Sequence, residues 1–367
     1  MADKEKAPKT KKHVVVIGGG YAGVMAANRL ATQVPVTLVT AAPRFVERIR
    51  LHEVVAGVRA DAEVEYTSLL HPTVRLRVGR VVHLGERMLR LADGETLAFD
   101  HAVYAVGSAA AGGITSADGA ARIRSQLDAL PAGAGVAVLG GGLTGIETAA
   151  EIAQARPHLR VELRTSGVVA PHESARGRAS ALASLRRLGV DVVENVGTPA
   201  SADVVIRCTG FAVPALAADS GLPVDADGRI RVDPSLRVLG SDTLYAAGDA
   251  AVIDDPGYDY LRMSCAAALP MGARAADSIL ATLRGEVPRP HDAGFLARCV
   301  SIGRRDALLQ FVGRDDHAGR VVLNGRAAAL MKETICRYTL RWLRTEAKRP
   351  GAYAAPKGPA RTKELVA

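Results

Sequence analysis

The chain has 367 residues, 48% apolar and 23% charged, a balance that suits two to three folded domains and excludes wholesale disorder. Its net charge is +9, but residues 1–12 and 346–367 each hold five cations against two acids, so only +3 is left for the body and a nucleic-acid-binding role is disfavoured. No apolar run nears the ~20 residues that span a bilayer, no apolar segment behind the N-terminal charges suggests a secretory signal, and Cys208, Cys265, Cys299 and Cys336 are too far apart for a CxxC pair or a metal cluster. A reducing, cytoplasmic setting is expected, and no metal.

The Lys-rich stretch 1–12 reads as a disordered tail. Residues 13–40 (HVVVIGGGYAGVMAANRLATQVPVTLVT) then show a plan that returns at 135–165 (GVAVLGGGLTGIETAAEIAQARPHLRVELRT). Each copy is a β-branched run, a glycine cluster, an Ala-rich stretch of helical period and a second β-branched run, which is a βαβ unit. Gly18, Gly20 and Gly23, and again Gly140, Gly142 and Gly145, have the GxGxxG spacing. The first glycine allows the tight turn, the second lets a pyrophosphate approach the backbone, and the third lets helix and strand pack closely. The phosphates would meet the free N–H groups of helices starting near Ala22 and Thr144.

Between the copies, residues 74–108 alternate like an antiparallel meander, with a turn at Ala92-Asp93-Gly94 and a buried strand from His101 to Val106. Residues 190–210 are β-rich and end in VVIRCTGF; 237–253 give a strand followed by Gly248-Asp249-Ala250. Met263 to Leu283 reads as a helix broken into two pieces by Pro270 and Gly272. Residues 286–325 are β-rich, with turns at Gly313 and Asn324-Gly325, and Arg326 to Glu346 form an amphipathic helix before a Pro-, Gly- and Ala-rich tail.

This order of motifs, with YAVGS before the second unit and LYAAGDAA late in the chain, resembles the flavoprotein oxidoreductases with two dinucleotide-binding domains, over about residues 13–285. Within them it is most similar to type II NADH:quinone dehydrogenases and apoptosis-inducing-factor-like reductases. The resemblance implies an α/β fold of two Rossmann-like domains, the second inserted in the first. The FAD domain would comprise 13–108 and 237–285 and the NAD(P) domain 109–236. A C-terminal region, 286–345, and a disordered tail, 346–367, would follow. Gly18, Gly20, Tyr21, Ala22 and Gly23 would cradle the FAD pyrophosphate; Thr40, Arg50, Val81, Ala105, Gly107, Gly248 and Asp249 would line the rest of that site, with Asp249 accepting from a ribityl hydroxyl. Gly140, Gly142, Thr144 and Gly145 would take the nicotinamide dinucleotide. Glu147 would stand near the nicotinamide, and Gly210 would lie in the loop lining its pocket. His52 joins Arg50 as a candidate in the segment over the flavin.

Thr40 and Thr165 stand where an acidic residue usually binds the adenosine ribose. At 165 that loss, with Ser166 and Arg164 beside it, would tolerate or attract a 2′-phosphate, so NADPH is open alongside NADH. The implied reaction is hydride transfer from NAD(P)H to the flavin and electron delivery to an acceptor, with no catalytic side chain required. Without CxxC the disulfide reductases are disfavoured, and the cysteines read as small buried hydrophobes; a sulfide:quinone reductase would need two cysteines meeting at the flavin. A quinone is the favoured acceptor. The alternatives are a ferredoxin, or a slowly turning-over FAD- and nicotinamide-sensing protein of the apoptosis-inducing-factor type. In the last helix Met331, Ile335, Tyr338 and Trp342 share a face among Lys332, Arg337, Arg341 and Arg344. That face would pack on the body, join a homodimer, or rest on the inner face of a membrane.

Overall fold

A computed structural model describes residues 12–109, 114–197 and 201–360. Most of the expected N-terminal tail, and residues 361–367 of the C-terminal one, lie outside them. The chain opens with β1 (Val14–Ile17), α1 (Tyr21–Leu30) and β2 (Val36–Thr40), then short β3 (Phe45–Val46), a 3₁₀ turn (Arg48–Arg50), α2 (Leu51–Ala56) and β4 (Glu63–Val64). Next come β5 (Val74–Val78), β6 (Val81–Leu84), β7 (Met88–Leu91), β8 (Thr96–Ala98) and β9 (His101–Tyr104). The second unit holds α3 (Ala117–Asp128), β10 (Gly135–Leu139), α4 (Leu143–Ala155), β11 (Arg160–Arg164), α5 (Ala175–Arg187), β12 (Val190–Val193) and β13 (Val204–Arg207). The chain returns through α6 (Leu216–Asp219), β14 (Ile230–Val232), β15 (Leu244–Ala246), β16 (Ala251–Ile253) and α7 (Cys265–Leu283). It ends in β17 (Ala297–Ser301), β18 (Ala307–Val312), β19 (Ala318–Asn324) and α8 (Gly325–Lys348).

The first sheet has the order β15-β9-β1-β2-β5 and is parallel throughout. Its centre, Val14 to Ile17, is buried on both sides, which is why the strand reads as a continuous apolar run rather than an alternation. The second sheet, β12-β11-β10-β13, is parallel too. Two dinucleotide-type units are therefore present, as the repeated βαβ pattern requires.

Four expectations change. β5 leaves the meander and pairs parallel to β2; alternation reports one buried face, not the direction of the partner. The antiparallel meander proper is β6-β7-β8, turning at Gly94. Second, α7 is one helix: Pro270 sits early enough to remove a single backbone bond near the N-terminus, and the helix continues. Third, Ala217, Ile230, Val232 and Leu236 pack in the core of the first unit, so the chain re-enters that unit before residue 237. Fourth, residues 346–360 are not a free tail. Glu346 accepts from the N–H groups of Gly351 and Tyr353, and the Tyr353 ring meets Trp342 edge-on. Composition marked the segment as disordered, whereas one buried carboxylate organises it.

α1 and α7 cross closely because a Cβ at Gly272 would lie 2.2 Å from the Ala22 carbonyl oxygen. Gly272→Ala is therefore expected to destabilise by about 1–3 kcal/mol through overpacking. It should also loosen the start of α1; thermal unfolding and the flavin content of the purified variant check both effects.

Candidate active site: two nucleotide cradles and the seam between them

The two glycine turns share one construction. Gly18 (φ +109°) runs against the crossing strand end, where a Cβ would lie 2.2 Å from the Ala105 oxygen, and a Cβ at Gly23 would lie 1.8 Å from the Gly18 oxygen. At Gly20, by contrast, a Cβ would meet nothing within 4 Å, and Gly20 caps α1 with no side-chain acceptor. The second copy repeats this: Gly140 is at φ +125°, a Cβ at Gly145 would lie 1.9 Å from the Gly140 oxygen, and Gly142 is open and leaves α4 uncapped. The first and third glycines thus serve packing, and the second leaves room at a helix N-terminus whose N–H groups suit an anion. This matches a dinucleotide pyrophosphate at both turns. Tyr21 and Ala22 begin α1 with buried side chains, Tyr21 edge-on to Phe45 at 5.2 Å. Thr144 lies half-buried in the first turn of α4.

At the end of β2 beside the first cradle, Thr40 is buried with its hydroxyl 3.3 Å from the Tyr66 hydroxyl, which donates to the Gly19 carbonyl. The Gly79 N–H donates to the Thr40 carbonyl, bringing Val81 to the same end of the sheet. Toward the seam, Ala105 directly follows β9 and its N–H donates to the Ile17 carbonyl. Gly107 (φ +70°) and Gly248 (φ +80°) are left-handed, as glycine allows. The Ser108 hydroxyl donates to Asp249 Oδ2 at 2.7 Å. Asp249 is thus held at the end of the β9 crossing segment.

At the second cradle Thr165 Oγ1 faces the Gly141 backbone, and the Gly167 N–H donates to it at 3.4 Å. Arg164 is paired with Glu162, so it is not the free cation that would draw a 2′-phosphate; a neighbouring carboxylate on the same strand neutralises it. Thr165→Glu should lower kcat/KM for NADPH about tenfold relative to NADH by charge repulsion, which steady-state kinetics with each donor would measure. Gly210 (φ +62°) carries the loop leading to Phe211, a 44% exposed ring.

Glu147 occupies a denser setting than its helix position suggested. Its Oε1 lies 2.9 Å from Lys332 Nζ and accepts from the Ser301 N–H, and its Oε2 lies 3.8 Å from His52 Nδ1. Burial pushes the Glu147 carboxyl up, but Lys332, His52 and Ser301 outweigh it and hold it below the usual range. Burial also acts to lower Lys332, but the facing Glu147 carboxylate at 2.9 Å helps hold it well above an ordinary lysine. His52 is pushed down to about 4, chiefly by burial, and is neutral at pH 7. Arg304, from the β17–β18 turn, reaches His52 Nε2, Glu53 and Glu151.

Arg50 points elsewhere. It bonds Glu53 and, through both terminal nitrogens, Glu333 of α8, so its cation faces the last helix rather than a nucleotide. Lys332 likewise leaves the cationic rim of α8 for the interior. A signal for that was present, since Lys332, Cys336, Thr339 and Leu343 recur at helical spacing on the buried face. Cys336 is buried as expected, but Cys208, Cys265 and Cys299 are only partly so. The Lys332 ammonium donates to the Cys299 carbonyl at 3.2 Å. Burial keeps Cys265 and Cys336 as thiols, pushed up to about 11 and about 12.

The chain is 28% identical to ferroptosis suppressor protein 1 of Xenopus laevis over 346 residues, covering 82% of this chain and 88% of the relative. It is 25% identical over 272 residues to NADH dehydrogenase-like protein YutJ of Bacillus subtilis (strain 168), covering 65% and 77%. Its fold matches that of NDH2 from Plasmodium falciparum, solved in complex with NADH, at a TM-score of 0.76 and 14% identity, across 94% of this chain and 99% of the other. Residues 12–272 match the family described as pyridine nucleotide-disulphide oxidoreductase (Pyr_redox_2). With two open cradles on one chain and no CxxC pair, the protein belongs to that family as an FAD- and NAD(P)-dependent oxidoreductase.

Proposed function

We propose that this chain takes a hydride from NADH or NADPH and passes the electrons to a quinone. Bound FAD supplies the redox chemistry between donor and acceptor. The protein's part is to hold and orient. The turn at Gly18–Gly23 anchors one pyrophosphate, Asp249 fixes the flavin side chain, the turn at Gly140–Gly145 anchors the donor, and Glu147 with Lys332 sets a fixed, dry charge pair at the donor's reactive end. The observation that carries this reading is the matched openness of Gly20 and Gly142 above two uncapped helices. A relative named as NADH dehydrogenase-like supports a nicotinamide donor.

A quinone is favoured by α8. Leu330, Met331, Ile335 and Tyr338 are 71%, 42%, 39% and 43% exposed on a helix edged by Arg337, Arg341 and Arg344. Among the described residues no helix is long and apolar enough to cross a membrane. An apolar flank beside cations suits contact with an anionic membrane surface, where a lipid-soluble quinone would be met. Flotation with anionic vesicles tests this; sedimentation as a dimer without vesicle binding would assign the flank to a second copy.

The purified protein should be yellow and bleach on anaerobic addition of NADH or NADPH, and a quinone should restore the colour. A colourless protein that takes up no added FAD would refute the reading. Asp249→Ala should purify with little flavin while keeping its fold by circular dichroism, because among the described residues its carboxylate meets only the Ser108 hydroxyl and, at 3.8 Å, Arg48.

A further inference from the structure

In the segment Phe45 to Gly57, Arg50 and His52 are the candidates for the flavin, but it is Arg48 that lies at the seam. Its Nη1 lies 3.4 Å from Ser108 Oγ and 3.8 Å from Asp249 Oδ2, and its guanidinium carbon stands 5.6 Å from the centre of the Phe211 ring. The same Nη1 lies 3.9 Å from where a Cβ on Gly107 would sit. One cation thus touches the carboxylate and crossing strand of the first cradle and an aromatic face in the loop of the second.

The two units are also tied directly at this point. Ala109 and Ala212 exchange two backbone hydrogen bonds of 2.7 Å, one residue beyond Ser108 and one beyond Phe211. That bridge fixes the backbones but does not reach the Phe211 ring, which is 44% exposed and follows left-handed Gly210. The guanidinium supplies what the bridge lacks, a cation over the ring face. It is held in turn by Asp249 and Ser108, so the ring's orientation depends on the carboxylate of the first site.

We propose that Arg48 is a positioning residue that couples the two nucleotide sites, holding the Phe211 loop in its donor-binding conformation through Asp249. The inference rests on the oxidoreductase reading above. It makes donor affinity, rather than the rate at saturation, the quantity that Arg48 controls. Removing the cation frees the ring and costs the loop its order, whereas Ser108 keeps Asp249 in place for the flavin.

Full-length, FAD-loaded wild type is compared with Arg48→Met, Arg48→Lys, Phe211→Leu and the Arg48→Met/Phe211→Leu double variant. NAD⁺ and NADP⁺ affinities are read by calorimetry, alongside KM and kcat for the reduced donors. Arg48→Met should weaken the preferred dinucleotide about fivefold and raise KM with kcat nearly unchanged. Arg48→Lys should keep most of the affinity. Phe211→Leu should give a similar loss with full flavin retention, and the double variant should lose no more than either single one. Unchanged dinucleotide affinity in Phe211→Leu, additive losses in the double variant, or a fall in kcat alone would overturn the proposal. If Arg48→Met does not fold, Arg48→Gln, which also removes the cation, with and without Phe211→Leu completes the same cycle. A wild-type protein that binds neither flavin nor dinucleotide refutes the oxidoreductase reading itself; wild-type binding of both, with unresponsive variants, refutes only the coupling.

Discussion

Lys332→Met is expected to lower turnover about a hundredfold, the scale set by losing one preorganised charge from a dry site, and to destabilise the protein by about 3–5 kcal/mol. The two effects have one source. Glu147 is 12% exposed at its side chain, and Lys332 is its strongest stabilising partner. Without the ammonium, burial dominates and the carboxyl rises above its ordinary range. Below that raised value the carboxyl is protonated and no orphan charge exists, so the variant's deficit should shrink as pH falls. In the wild type the sign is opposite: with its folded-state pKa held down, Glu147 stabilises the fold above the ordinary carboxylate range, and that contribution fades as pH drops through the depressed value. Adding Glu147→Gln to Lys332→Met removes the buried charge and should recover most of the stability but none of the turnover. Urea unfolding at two pH values, with steady-state kinetics of the single and double variants, checks the prediction. Recovery of turnover in the double variant would show that the pair is only structural.

Glu346→Ala should cost about 3–5 kcal/mol, the scale for breaking a buried ion pair by removing one partner. Its side chain is fully buried and accepts from Arg29 Nε at 2.7 Å, Gly351 N–H at 2.7 Å and Tyr353 N–H at 2.8 Å. Arg29 also donates to Asp277 and to the Tyr353 carbonyl, so the single carboxylate joins α1, α7, α8 and the last described stretch. Its loss should release residues 349–360 for limited proteolysis and lower the thermal midpoint, while Glu346→Gln should recover part of both. An unaltered proteolysis pattern in the alanine variant would show that Tyr353 and Trp342 alone hold the segment.

Residues adjacent in sequence announced their own roles. Gly18, Gly20 and Gly23, and Gly140, Gly142 and Gly145, lie within one turn of backbone, so their spacing fixes the cradle geometry with no help from the rest of the fold. The buried parallel strands and the βαβ repeat were legible for the same local reason. Strand partners were less so: the alternation at 74–78 was visible, but its pairing with β2 depends on which edge of the sheet lies uncovered.

What the sequence by itself determined is the pair of nucleotide turns, the α/β class, and a chain without a thiol pair beside the flavin turn. What only the tertiary structure decided is which charges face them. Arg48, Arg50, His52 and Glu53 lie within six residues, yet Arg48 reaches Asp249 and Phe211, Arg50 turns to α8, and His52 joins Glu147. Lys332 crosses to a helix that begins far upstream of it, and Glu346 orders a segment whose composition reads as disorder. A charge is satisfied by whatever partner lies within hydrogen-bond reach in space, and burial makes an unpaired one costly. Sequence distance sets neither condition.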